Sequence, residues 1–165
     1  CNIAHESERA RLFDFSQPYV LIDAHFLVLA DSPFTSNEDI NQANIMIEAF
    51  YLSVFDLWLK DNLRHASLLA TDSIERSHDL FLRGEADVLA TLKPQLQMEL
   101  AAGQHHVIAP RFTTIKQAVV IKKTDPSVRQ FLNDLIAATI KDRFFEASLA
   151  AHGVDDKLSL PEPAG

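Results

Sequence analysis

The sequence predicts an α/β protein with a mostly parallel central sheet, and three observations carry that expectation. Short apolar runs alternate with amphipathic helical periods from about residue 25 to residue 121, the pattern of strands joined by helical crossovers. The runs are too short for helices and too continuous for half-exposed strands, so they read as strands buried on both faces. The helical periods between them carry start and stop signals at the ends where such signals act.

Taken in order, the strand candidates are His25 to Ala30, Asn44 to Ile47, Ser67 to Ala70, Ala86 to Ala90 and Gln117 to Ile121. Between the second and third, Val54, Phe55, Trp58, Leu59 and Leu63 share one helical face behind a Ser53 cap. Between the third and fourth, Ile74, His78, Phe81 and Leu82 share another behind Ser73, and Gly84 stands where a helix end tolerates positive φ. A third helix is expected from Pro94 to Gly103, with proline and glycine at the ends they favour.

The C-terminal third reads as two helices. Pro126 opens one in which Val128, Phe131, Leu132, Leu135, Ile136, Thr139 and Ile140 follow the i, i+3, i+4, i+7 spacing. The second runs from about Arg143 to His152 and stops at Gly153; the tail from Leu158, with two prolines, is expected to fray or lie on the surface. At the other end, Cys1-Asn2-Ile3-Ala4 begins without a cap or a polar lead-in and reads like a strand already under way, so a fragment is expected.

Composition excludes several functions. Fifteen Lys and Arg stand against 23 Asp and Glu in 165 residues, a net charge of −8, and the basic residues form no cluster beyond Lys122-Lys123. A nucleic-acid partner needs a basic stripe, so none is expected. No apolar run approaches the roughly 18 residues of a membrane helix. With one cysteine and four glycines the chain has no internal disulfide, no Cys-rich zinc site and no glycine-rich phosphate loop. His105-His106 has no ligand at metal spacing beside it, and no metal or cofactor is expected.

The residues also carry a resemblance. Arg9 to Tyr19 (RARLFDFSQPY) resembles the arginine-containing "F-S-x-P-Y" segment of the bacterial extracellular solute-binding proteins of family 3, the amino-acid class of ABC-transporter receptors. Further pieces follow in the family's order. His25 to Asp31 is similar to the crossover strand, Ser36 to Ile40 to the "S-x-E-D-L" helix, Leu82 to Val88 to the "L-x-x-G-x-x-D-A" step, and Val120 to Asp125 to the returning strand.

The resemblance implies a periplasmic binding protein-like fold of type II, α/β, with one complete lobe and the C-terminal part of the other. On that reading residues 1–24 are a partial first lobe, 25–29 and 115–118 hinge strands, 30–114 the complete second lobe, 119–155 the C-terminal helices of the first lobe, and 156–165 a tail. It further implies hinge closure on a small ligand, an ABC permease partner in the inner membrane, a periplasmic location and a signal peptide in the precursor. Without its opening strands, the incomplete lobe leaves the helix from Pro126 an unpartnered apolar face, so self-association of the fragment is expected.

By the resemblance, Arg9 grips the ligand carboxylate, for which a guanidinium fork is suited; the residues alone would equally allow pairing with Glu6 or Glu8. Other candidate ligand-binding positions are Ala4, Glu6, Phe50, Tyr51, Leu92, Lys93 and Gln117. Several depart from the family pattern. The turn Glu48-Ala49-Phe50-Tyr51 is bulky and lacks the family's glycine, and Leu92 stands where an aspartate commonly receives the ligand ammonium. Phe50 and Tyr51 could face either the core or the cleft.

The function expected is therefore a non-enzymatic receptor for a small carboxylate-bearing ligand that is not a basic amino acid. The alternatives are a sensing or interaction module on the same fold, or a dehydratase-like enzyme using Lys93 and Glu48.

Overall fold

The computed structural model describes residues 3–4, 7–100, 103–123 and 126–162. Its elements run β1 (Ile3–Ala4), α1 (Ser7–Ala10), β2 (Phe13–Phe15), β3 (Val20–Leu29), α2 (Asn37–Ile40), β4 (Met46–Phe50), α3 (Val54–Asn62), β5 (Ser67–Thr71) and α4 (Ile74–Leu82). They continue with β6 (Val88–Leu92), α5 (Lys93–Leu100), β7 (His105–Ala118), β8 (Val120–Lys122), α6 (Pro126–Lys141), α7 (Phe144–Ala151) and β9 (Leu158–Ser159). The chain divides into two compact units: unit 2 is Asp23–Thr114, and unit 1 comprises Cys1–Ile22 and Ile115–Gly165. Strands β3 and β7 each run from one unit into the other.

Unit 2 is a sheet in the order β7-β3-β6-β4-β5. Its inner pairs are parallel, β4 with β5 and β4 with β6, while β3 runs antiparallel to β6 with Ala24 opposite Leu92 and Leu27 opposite Leu89. Ile47, Ala49, Val88, Leu89 and Ala90 are buried, as continuous apolar runs between two helical layers require. Ser67 to Ala70 does not fit that expectation. β5 is the edge strand, and both Ser67 and Ala70 are exposed.

The helices of unit 2 start where the sequence places their caps. Ser53 accepts from the Asp56 N–H and Ser73 from the Arg76 N–H, and α2 has a reciprocal capping box between Ser36 and Asp39. Gly84 takes φ of +73°, ending α4 as expected. The two faces of the sheet carry different helices. On one, Trp58 of α3 meets Phe112 of β7, whose ring stacks on Phe26 of β3 at 4.2 Å. On the other, Phe81 of α4 forms a core with Leu27, Leu89 and Leu96. Phe26 and Leu27 are neighbours on one strand and so point to opposite faces.

Unit 1 is built around α6 and three short strand pairings. β1 pairs with the end of β7, β9 with the start of β3, and β2 with β8. The tail, expected to fray or lie on the surface, is tied down at Leu158 and Ser159, opposite Ile22 and Leu21. Gln117 to Ile121 is not one strand either: β7 ends at Ala118, and the chain leaves for β8 because Ser16 occupies the backbone of Val119 in both directions, at 3.0 Å each. The F-S-x-P-Y residues fasten this segment to α6, since Gln17 donates from its backbone N–H to Asn133 Oδ1 and from Nε2 to the Asn133 carbonyl, both at 2.7 Å. Tyr19 stacks on Phe145 of α7.

α6 is apolar over more of its circumference than unit 1 covers. Ile136 is buried, but Val128, Phe131 and Leu135, spaced i, i+3, i+7 along another side, are exposed, Phe131 by 64% and Leu135 by 52%.

Candidate functional site

The connection from β4 goes through α3 to β5, and the connection from β5 returns through α4 to β6 on the other side of β4. Right-handed crossovers that diverge in this way place their helices on opposite faces and open a crevice beyond the C-terminal ends of the two strands between them. In unit 2 those ends are Phe50 of β4 and Leu92 of β6, with the turn Tyr51-Leu52-Ser53 above the first and Lys93 above the second. Residues singled out from two distant stretches of sequence, Phe50 and Tyr51 with Leu92 and Lys93, thus share one strand-end rim.

The β4 end is made without glycine. Leu52 itself adopts the left-handed conformation, at φ +56°, and so turns the chain into α3. Tyr51 and Leu52 are left 49% and 53% exposed, whereas Phe50 is half-buried. The backbone donors of the turn are already spent. The Leu52 N–H donates to Asp56 Oδ2 at 2.8 Å, and Asp56 N–H donates to Ser53 Oγ. Asp56 is fully buried, and its charge is met by Lys60 Nζ at 2.8 Å, which also lies 5.1 Å over the Tyr51 ring. The anion site that a helix N-terminus can offer is filled by the chain's own carboxylate.

The β6 end is different. Leu92 and Lys93 are half-buried, and Lys93 makes no hydrogen bond or ion pair with a described residue. Gln95, in the first turn of α5, accepts from the Thr91 hydroxyl at 2.8 Å and from the Leu92 N–H at 3.3 Å through one oxygen, Oε1. Sequence reasoning passed over Gln95. A glutamine three residues into a helix is the signal that could have found it, because that position reaches back to the cap N–H.

Glu48 does not belong to the rim. It is fully buried inside β4 on the α4 side, where Oε1 accepts from the Thr71 hydroxyl at 2.6 Å and Oε2 has no hydrogen-bond partner among the described residues. The expectation that Glu48 stands in a cleft as an acid is corrected by this placement: β4 continues two residues past it, and Thr71 and Ser77 enclose it.

The remaining candidates lie on unit 1. Arg9 is half-buried in the last turn of α1. Ala4 of β1 is opposite Gln117 of β7 in register, and Gln117 is buried with its side-chain Oε1 lacking a hydrogen-bond partner among the described residues. Glu6 falls outside the described residues.

No protein-family model and no curated protein matches the chain. Solved structures do. The solute receptor for L-cysteine of Neisseria gonorrhoeae aligns over 98% of this chain and 69% of its own, with TM-score 0.79 and 19% identity. A putative ABC-transporter binding component from Wolinella succinogenes, complexed with lysine, aligns over 90% of this chain and 66% of its own, with TM-score 0.77 and 20% identity. An ancestral amino-acid-binding protein described as a precursor of cyclohexadienyl dehydratase gives 91%, 66%, 0.73 and 22%. The chain thus spans about two thirds of each. At these identities the likeness establishes the fold, which is the periplasmic binding protein-like type II α/β fold expected from the sequence.

Proposed function

We propose that this chain is part of a solute-binding receptor of an ABC importer, that it takes a small carboxylate-bearing ligand other than a basic amino acid, and that it delivers the ligand to a permease in the inner membrane from the periplasm. The fold supports the receptor role, and structural neighbours are described as binding cysteine, lysine or arginine. The observation that carries the ligand class is the rim of unit 2. Its strand ends present Tyr51, Leu52 and Leu92, and its one turn carboxylate, Asp56, is sealed from solvent and paired with Lys60. A ligand ammonium set against these groups loses its water without gaining a counter-charge, a cost of several kcal/mol. Arg9 on unit 1 supplies the fork for the carboxylate. Ala4, Glu6 and Gln117 are its proposed companions there.

The test is a thermal-shift screen against carboxylates and amino acids, followed by calorimetry of whatever stabilises, since a ligand raises stability by RT ln(1 + [L]/Kd). The reading expects apolar or aromatic carboxylates to bind, with affinity reduced more by Arg9→Ala than by Lys93→Ala. Micromolar binding of lysine or arginine would refute the ligand class. Silence across the panel would refute the receptor role and leave the interaction module standing.

A further inference from the structure

We propose that Gln95 selects the ligand in unit 2: its Nε2 donates a hydrogen bond to the ligand, so the end received there is a carbonyl or carboxylate oxygen and not an ammonium. This rests on the receptor reading and goes further by naming the group that chooses and the chemistry it chooses.

The argument begins with a donor that has no choice. The Leu92 N–H can only donate, so the atom of the Gln95 carboxamide that faces it, at 3.3 Å, is the oxygen. The Thr91 hydroxyl, 2.8 Å from the same oxygen, completes its two acceptor positions. A carboxamide is planar and rigid, so committing Oε1 to β6 turns Nε2 away from it. Nε2 makes no hydrogen bond to any described residue, although the side chain is half-buried at a strand end. Gln95 is therefore held by one end and free at the other. Its fixed end is paired to the backbone of Leu92, the residue beside which a ligand at the rim must sit.

The surroundings give the selection its sign. Lys93, the next residue along from Leu92, makes no hydrogen bond or ion pair with a described residue. Across the rim, Lys60 cancels Asp56. Beside Leu92, two donors without a partner among the described residues are thus left for a ligand, Gln95 Nε2 and Lys93 Nζ. A free amino group brings more donors to them, whereas an acylated amino group or a second carboxylate brings acceptors. The ligand class is a carboxylic acid with an apolar body whose amino group is absent or masked.

The experiment compares N-acetyl-L-phenylalanine with L-phenylalanine by calorimetry on the wild type, Gln95→Glu and Arg9→Ala. Gln95→Glu keeps an oxygen for the Leu92 N–H and the Thr91 hydroxyl, so the start of α5 is preserved. It replaces the free donor with an acceptor. The wild type should bind the acetylated probe about tenfold or more tighter than the free amino acid, and Gln95→Glu should remove or reverse that preference. The Gln95 side-chain amide resonance of the wild type should move on titration with the acetylated probe. A preference for the free amino acid, a ratio unchanged in Gln95→Glu, or a stationary amide resonance would each overturn the inference. Loss of the probe in Arg9→Ala without a change of ratio in Gln95→Glu would leave the receptor reading intact and sink only this step. Binding of neither probe would also sink it, whereas the receptor reading falls only if the wider panel is silent.

Discussion

Removing one methyl-sized hydroxyl from β5 should destabilise unit 2 more than its size allows, because of what it leaves behind on β4. Thr71 and Glu48 are a buried pair, 2.6 Å apart, and Glu48 has no other hydrogen-bond donor among the described residues. Thr71→Val keeps the shape of the side chain and deletes that donor. A carboxyl group then remains in the core with neither oxygen bonded, which costs about 1–3 kcal/mol for a neutral polar group and more if it keeps a charge. The Thr71 hydroxyl is also within 3.2 Å of Ser77 Oγ and of the Ser73 carbonyl, so part of the loss falls on them. An estimate of about 2–3 kcal/mol for Thr71→Val follows. Replacing both partners removes the problem: Glu48→Met with Thr71→Val leaves an apolar pair, and such exchanges of buried polar groups are often neutral or stabilising. The double variant should therefore recover most of the loss. Urea unfolding followed by tryptophan fluorescence is the suitable assay, because the only tryptophan, Trp58, is in unit 2 and reports its unfolding. If Thr71→Val costs less than about 0.5 kcal/mol, or if the double variant costs the sum of the singles, the hydrogen bond is not what accommodates Glu48 and the reasoning fails.

Four further outcomes are expected. Asn133→Ala should destabilise unit 1 by about 1–3 kcal/mol, since it removes the 2.7 Å side-chain acceptor for the Gln17 N–H while keeping the backbone carbonyl that accepts from Gln17 Nε2; an effect confined to a few tenths, read from the denaturation midpoint, would deny the segment its anchor on α6. Leu52→Gly should stabilise the turn into α3 by about 1 kcal/mol, because leucine at φ +56° is strained, and equal or lower stability in thermal melts would mean that its side chain compensates by packing. The Asp39 carboxyl is held below its ordinary range, chiefly by the Thr35 N–H and then by Ser36; a depressed value in the folded state means a contribution present above the unfolded pKa and lost as pH falls through the folded one, so protection of the Thr35 and Ser36 amides, taken relative to intrinsic exchange at each pH, should fall on acidification and lose that dependence in Asp39→Asn. Light scattering at high concentration should show two copies associating through Val128, Phe131 and Leu135, a stripe that can meet itself about a twofold axis, and Phe131→Lys with Leu135→Lys should return the monomer; a wild-type monomer would refute it.

How much of this was legible before folding depended on whether a residue's fate is decided locally. The strands that lie between helical layers announce themselves, because Ile47 to Ala49 and Val88 to Ala90 must be apolar on both faces. Caps are equally local: Ser53 and Ser73 bond N–H groups three residues away, and Gly84 supplies a backbone angle. β5 has the same apolar composition as its neighbours and yet is an edge, since strand order is a property of the whole sheet. β7 escaped notice for the opposite reason. Its 14 residues include Pro110, Arg111, Lys116 and two threonines, and it is half-exposed along much of its length, so no apolar run marks it. Leu158 and Ser159 became a strand only because β3 offers them a free edge.

The candidate site divides along the same line. That Phe50, Tyr51, Leu92 and Lys93 lie at the ends of neighbouring strands could be suggested from family-like spacing, but how the turn is made without glycine, with Leu52 at the left-handed angle and its N–H held by Asp56, could not. Glu48 looked available because a strand end and a strand interior are indistinguishable two residues apart in sequence; one further turn of the pleat places it beneath Thr71. Gln95 is the clearest case. Its place three residues into a helix marks it only as a glutamine able to reach back to the cap N–H; that the Leu92 N–H and the Thr91 hydroxyl hold its oxygen, and so decide which way its nitrogen faces, emerges with the fold. Positions whose chemistry depends on a partner distant in the chain, as Glu48 depends on Thr71 of the neighbouring strand, are the ones a sequence leaves blank.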